Sequence, residues 1–106
     1  MATLQQQHGT IDREIVSELI SLVPEEWNCA LLTIERLDQP DGERLRLVID
    51  SPERRQEVVG ASDELSQLAF DLHDVFRRAA SKVWRKVIYR LDRDGEDWTY
   101  RAEFEY

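Results

Sequence analysis

The sequence predicts an α+β fold, with two helices packed on one face of a four-stranded antiparallel sheet in the order α-β-β-α-β-β. Three observations lead there. The run Val87-Ile88-Tyr89-Arg90-Leu91-Asp92 is followed by a strictly alternating one. Trp98, Tyr100, Ala102, Phe104 and Tyr106 alternate with Asp97, Thr99, Arg101, Glu103 and Glu105 beyond an Asp94-Gly95 turn, the period-2 pattern of a β-hairpin. A second pair of strand-like runs flanks Asp38-Gln39-Pro40-Asp41-Gly42, a segment rich in turn formers. Two further stretches space their apolar residues as helices do. Two hairpins and two amphipathic helices bury their apolar faces as a two-layer sandwich.

The elements follow in order. Residues 1–9 are polar and are expected to be a disordered N-terminal segment, leaving 10–106 as a single domain, a length able to bury a core unaided. Thr10 or Asp12 is the expected cap of the first helix. Ile11, Ile15, Val16, Leu19, Ile20, Leu22 and Val23 form its apolar stripe, and Pro24 ends it, because the residue before proline is pushed out of the α region. A strand over Cys29 to Arg36 precedes the turn at 38–42. The next strand, Arg44 to Asp50, puts Leu45, Leu47 and Ile49 on one face and Arg44, Arg46, Val48 and Asp50 on the other. Residues 53–61 read as a polar loop, with a short extended piece at Val58 and Val59.

Ser62 is the expected N-cap of the second helix, with Asp63 and Glu64 in the first turn, where acids favour the macrodipole. Its apolar face runs from Leu65 through Leu72 and Phe76 to Val83 and Trp84. At about 22 residues, or roughly 33 Å, it is the longest element expected. The final hairpin places Trp98, Tyr100, Phe104 and Tyr106 on one buried face, with Trp27 and Trp84 sealing the ends of the core. A terminal strand at a sheet edge leaves backbone groups free for strand addition. The charges of Asp97, Glu103 and Glu105 fit protection against aggregation equally well.

The formal net charge is −8. Phosphate backbones attract basic surfaces, so direct nucleic-acid binding is not expected; an acidic domain matches a basic protein partner, and charge alone is explained more simply by solubility. The basic run Arg77, Arg78, Lys82, Arg85, Lys86, Arg90 and Arg93 is assigned to cations near a helix C-terminus. No apolar stretch reaches the length of a membrane span, and the N-terminus lacks the pattern of a secretory signal, so the expected location is the cytoplasm. The single cysteine, Cys29, excludes an internal disulfide framework.

No residue pattern points to catalysis, a metal or a cofactor. His8 and His73 are far apart in sequence, and neither Cys-x-x-Cys nor His-Glu-x-x-His occurs. His73 is expected to be a solvated surface residue and Cys29 a small buried hydrophobe. The four glycines are isolated, so no phosphate-cradling loop can be built. The paired acids Glu25/Glu26 and Glu96/Asp97 are expected to be exposed and ionised. An enzyme would need a pocket in which carboxylates converge.

Three segments in order carry a resemblance. They are Leu22-Val23-Pro24-Glu25-Glu26-Trp27, the helix Leu65-x-x-Leu68-x-x-x-Leu72-His73-x-x-Phe76, and the strand Trp98-x-Tyr100-x-x-x-Phe104-x-Tyr106. Together they resemble the YezG-like family of small acidic immunity proteins, or antitoxins, of polymorphic toxin systems. The resemblance implies binding and inhibition of a cognate secreted toxin domain, in many cases a basic nuclease, without catalysis. The alternative is an effector-binding adaptor or chaperone that does not inhibit. The expected contact surface is acidic: Glu35, Asp38, Asp41, Glu43, Asp92, Asp94, Glu96, Asp97, Glu103 and Glu105, mostly from the two hairpin tips. The chain is expected to act as a monomer or homodimer.

Overall fold

The computed structural model describes residues 4–39, 42–79 and 83–106, with side chains at 8–37, 44–53, 59–78 and 83–106. The elements are α1 (Leu4–Leu22), β1 (Cys29–Gln39), β2 (Gly42–Ser51), β3 (Arg54–Val59), α2 (Asp63–Ala79), β4 (Lys86–Asp94) and β5 (Asp97–Glu105). All strand pairs are antiparallel, in the order β3-β2-β1-β4-β5. The α+β class, both hairpins and both helices are as the sequence implies. The sheet also gains a fifth strand, β3, from the segment read as a polar loop. Its Arg-Arg-Gln-Glu start has no apolar alternation, and its place comes from antiparallel pairing with β2, irregular between Ile49 and Ser51.

Register decides which side chains meet. Ala30, Leu32 and Ile34 of β1 stand level with Leu91, Tyr89 and Val87 of β4, and Leu32 and Ile34 with Ile49 and Leu47 of β2. These residues share one face. The helices supply Ile15, Val16, Leu19, Leu65, Ala69, Leu72 and Phe76 to the same core. Trp27 and Trp84 are fully buried in it. The opposite face, with Leu31, Thr33, Val48 and Ile88, stays partly exposed.

Five local expectations are corrected. Residues 4–9 are not a disordered lead but the first turns of α1. His8 anchors them, packing on Phe76 and Phe104 with ring centroids 5.3 and 5.4 Å away. Asp12 is accordingly no cap. It lies buried inside α1, accepting hydrogen bonds from Tyr89 Oη (2.5 Å) and His8 Nδ1 (2.9 Å), the pairing that a buried carboxylate requires.

α2 ends at Ala79 and, at 17 residues, is shorter than the 19-residue α1. The chain has to leave the helix to enter the sheet: the Arg85 carbonyl accepts from Arg36 N–H (2.8 Å), and Arg85 N–H donates to the Glu105 carbonyl (2.6 Å). Val83 and Trp84 therefore lie between the elements. His73 is not solvated but half-buried, edge-on to Trp84 at 5.6 Å. The cap at Ser62 is as expected: its Oγ accepts from Leu65 N–H (3.1 Å) and donates to Glu18 Oε1 (2.9 Å), tying α2 to α1.

The β5 aromatics are only partly covered. Phe104 reaches Phe76 (5.2 Å between centroids), whereas Tyr100 and Tyr106 are 40% and 61% exposed. β5 is an edge strand with a neighbour on one side only.

Candidate functional site

Both hairpin tips were expected to build one acidic surface, and strand direction separates them. β1 and β4 run antiparallel, with Cys29 level with Asp92 and Glu35 level with Lys86. The β1–β2 tip therefore lies beyond the Glu35 end and the β4–β5 tip beyond the Cys29 end. About 11 residues of strand at roughly 3.3 Å each place the two tips roughly 35 Å apart. Asp38 and Glu43 pair across the backbone at the first tip, their side chains outside the described residues, as is Asp41 altogether.

Glu35, Asp92, Glu103 and Glu105 belong to the open face, and that face is not acidic. Lys86 stands between Glu35 and Glu105 in one row, and Arg90 and Arg101 face each other in another. Arg44, Arg46, Lys86, Arg90 and Arg101 balance Glu35, Asp50, Asp92, Glu103 and Glu105. Asp92 accepts from Arg90 Nε (3.1 Å), and this hydrogen bond, ahead of any other effect, holds its carboxyl below the usual value. Beside them Cys29 is buried and free. Burial first, then its hydrogen bond to Asp92, pushes its thiol up, opposite to what a reactive thiolate needs.

What the structure does assemble is an acidic pole at the β4–β5 end. Asp94, Glu96 and Asp97 are all exposed there. The tip is a two-residue loop, with Asp94 level with Asp97 and Gly95 alone at positive φ (66°). A type II′ turn uses glycine in this way, and its twist suits the flanking strands. Arg93 fixes the tip to its neighbour. It lies over the Trp98 ring at 4.6 Å, donates through Nη1 to the Glu25 carbonyl (3.0 Å), and through its backbone N–H to the Asn28 carbonyl (2.8 Å). This brings the exposed Glu25 and Glu26 to the same end, on a turn closed by Trp27 N–H to the Pro24 carbonyl (3.1 Å). The β2–β3 turn at Pro52 and Glu53 also closes at this end, near Cys29.

The pole thus joins Asp94, Glu96 and Asp97 to Glu25, Glu26 and Glu53, while Arg93 is occupied with Trp98. Reading the sequence misses the last three acids as part of the surface. Pro24-Glu25-Glu26-Trp27 is visible as a motif, but nothing local to it says that β4 will pair with β1.

A second acidic feature is an open groove of about 420 Å³ between the helices, lined by Glu14, Glu18 and Glu64 with Ser17, Gln67 and Leu68. Glu18 is engaged there by Ser62. Among the described residues, no group of three or more His, Cys, Asp or Glu is placed to hold a metal ion, and no helix is long and apolar enough to cross a membrane. In comparisons with known proteins, neither a family model nor a curated protein matches the chain.

Proposed function

We propose that this chain is an immunity protein of the YezG-like kind, which binds a basic toxin domain in the cytoplasm and blocks it. The acidic pole carries the reading. Six carboxylates from three separate turns share one end of the sheet, and Arg93 links two of those turns by hydrogen bonds. Such a field attracts a basic surface from a distance, raises the association rate and disfavours acidic competitors. Nuclease domains are basic where they hold phosphates, so an acidic pole seated there would exclude the substrate. The proposed contact residues are Asp94, Glu96 and Asp97, with Glu25 and Glu26 beside them. The distal Asp38, Asp41 and Glu43 belong to a different end of the molecule.

The test is co-expression with the toxin domain encoded beside this gene, scored by cell survival and by co-elution on size exclusion. Rescue with a stable complex supports the proposal. Failure to rescue from an active toxin domain sinks it, and binding only to a full-length effector would replace it with the adaptor reading.

A further inference from the structure

We infer that β5 is a self-complementary edge, through which two copies of this chain join into one continuous antiparallel sheet. The inference rests on the strand itself and is independent of the proposed function.

The first observation is where the backbone of β5 points. At the two ends of the β1–β4 register, Arg93 N–H reaches the Asn28 carbonyl and Arg36 N–H reaches the Arg85 carbonyl. The odd-numbered residues of β4 therefore bond to β1, and the even-numbered ones to β5. Lys86, Ile88, Arg90 and Asp92 stand opposite Glu105, Glu103, Arg101 and Thr99. Those odd residues of β5 turn their polar groups inward. The N–H and C=O of Trp98, Tyr100, Ala102 and Phe104 point along the free edge, in phase for another antiparallel strand.

The second observation is the side chains. With Ala102 on a twofold axis, Tyr100 stands opposite Phe104 of the second copy, and Trp98 opposite Tyr106. On the other face Arg101 stands opposite Glu103. Each of these pairs occurs twice by symmetry, and aromatic and opposite-charge cross-strand pairs are the ones that stabilise sheets. The small Ala102 leaves room at the axis for the flanking rings. Neighbouring registers lack this match. Shifted by two residues one way, Asp97 meets Glu105 and Arg101 meets Arg101. Shifted the other way, Glu103 meets Glu103. Each shifted register still pairs one set of rings, Trp98 with Phe104 or Tyr100 with Tyr106, but only the unshifted one pairs two sets and sets no like charges opposite each other.

The third observation is exposure. Among the described residues, two of the three exposed large hydrophobic ones, Tyr100 and Tyr106, belong to this segment, and the paired register places each against a ring. No proline interrupts Asp97–Glu105, and its pairing to β4 runs unbroken from Asp94↔Asp97 to Lys86↔Glu105, so neither proline nor a bulge blocks strand addition, and the edge charges Arg101 and Glu103 are matched in the proposed register.

Sedimentation of the full chain over a wide concentration range tests this. The wild type is expected to pass from monomer to dimer as concentration rises. Ala102→Pro removes an edge-pointing N–H and no bond to β4, so it should stay monomeric with an unchanged circular dichroism spectrum. Arg101→Glu should raise the dimer dissociation constant roughly tenfold, by setting like charges opposite Glu103. Arg101→Glu combined with Glu103→Arg should restore it. A wild type that is monomeric at all concentrations overturns the inference. So does a dimer that survives Ala102→Pro, or a charge swap that fails to restore association.

Discussion

Tyr89 of β4 donates a 2.5 Å hydrogen bond to the carboxylate of Asp12, joining the sheet to the middle of α1 with both residues buried. With His8 on the other carboxylate oxygen, the pair fixes the helix against the sheet at one polar point in an apolar layer. Tyr89→Phe removes one donor and leaves the Asp12 charge buried. The expected cost is about 1–3 kcal/mol, read as a lower midpoint in urea with an unchanged slope.

The same contact, with Cys29, bears on the stability of the fold at alkaline pH. Burial, then the nearby Asp12 charge, raises Tyr89 far above its usual pKa of 10.0, and burial raises Cys29 above 9.0. Each group ionises at a higher pH in the folded chain than in the unfolded one. Their contribution is therefore fully present below the unfolded pKa values and is lost as pH rises past them. Stability should fall from about pH 9 upward, first through Cys29 and then through Tyr89. Thermal melts between pH 8 and 11 should show that decline, with a shallower slope in Tyr89→Phe. An equal slope in the variant would remove Tyr89 as its source.

Removing residues 1–9 provides a sharp contrast between a tail and a helix. A disordered tail would be lost without cost. In this fold, truncation strips His8 from Phe76, Phe104 and Asp12. We expect a loss of about 1–2 kcal/mol, and His8→Ala should reproduce much of it.

Reversing Asp94, Glu96 and Asp97 to lysine should slow association with the proposed toxin domain by roughly tenfold or more and weaken its salt dependence. All three side chains are exposed, so the melting temperature should barely move. Unchanged association kinetics would place the contact elsewhere.

Much of this architecture is legible in the sequence because its signals are local. Alternation along β4 and β5, the glycine at the tip, Pro24 after α1 and Ser62 before α2 each act within a few residues. The rest is non-local. Asp12 reads as a cap because a carboxylate near a helix start usually is one, and only Tyr89, 77 residues on, gives it a buried partner. β3 is held by its neighbour's backbone, which polar residues do not announce. The acidic surface divides between two ends because β1 pairs antiparallel with β4, a fact that no single segment encodes. That same pairing brings Glu25 and Glu26 beside Asp94.

The three tryptophans make the molecule its own optical reporter. Trp27 and Trp84 are sealed from solvent, whereas Trp98 is half-exposed under Arg93 at the margin of the acidic pole. A ligand seated on the pole would disturb the emission of one indole, while unfolding would redshift all three. With Trp98→Phe as the control, ordinary fluorescence separates occupancy of that end from loss of the fold without attaching a dye.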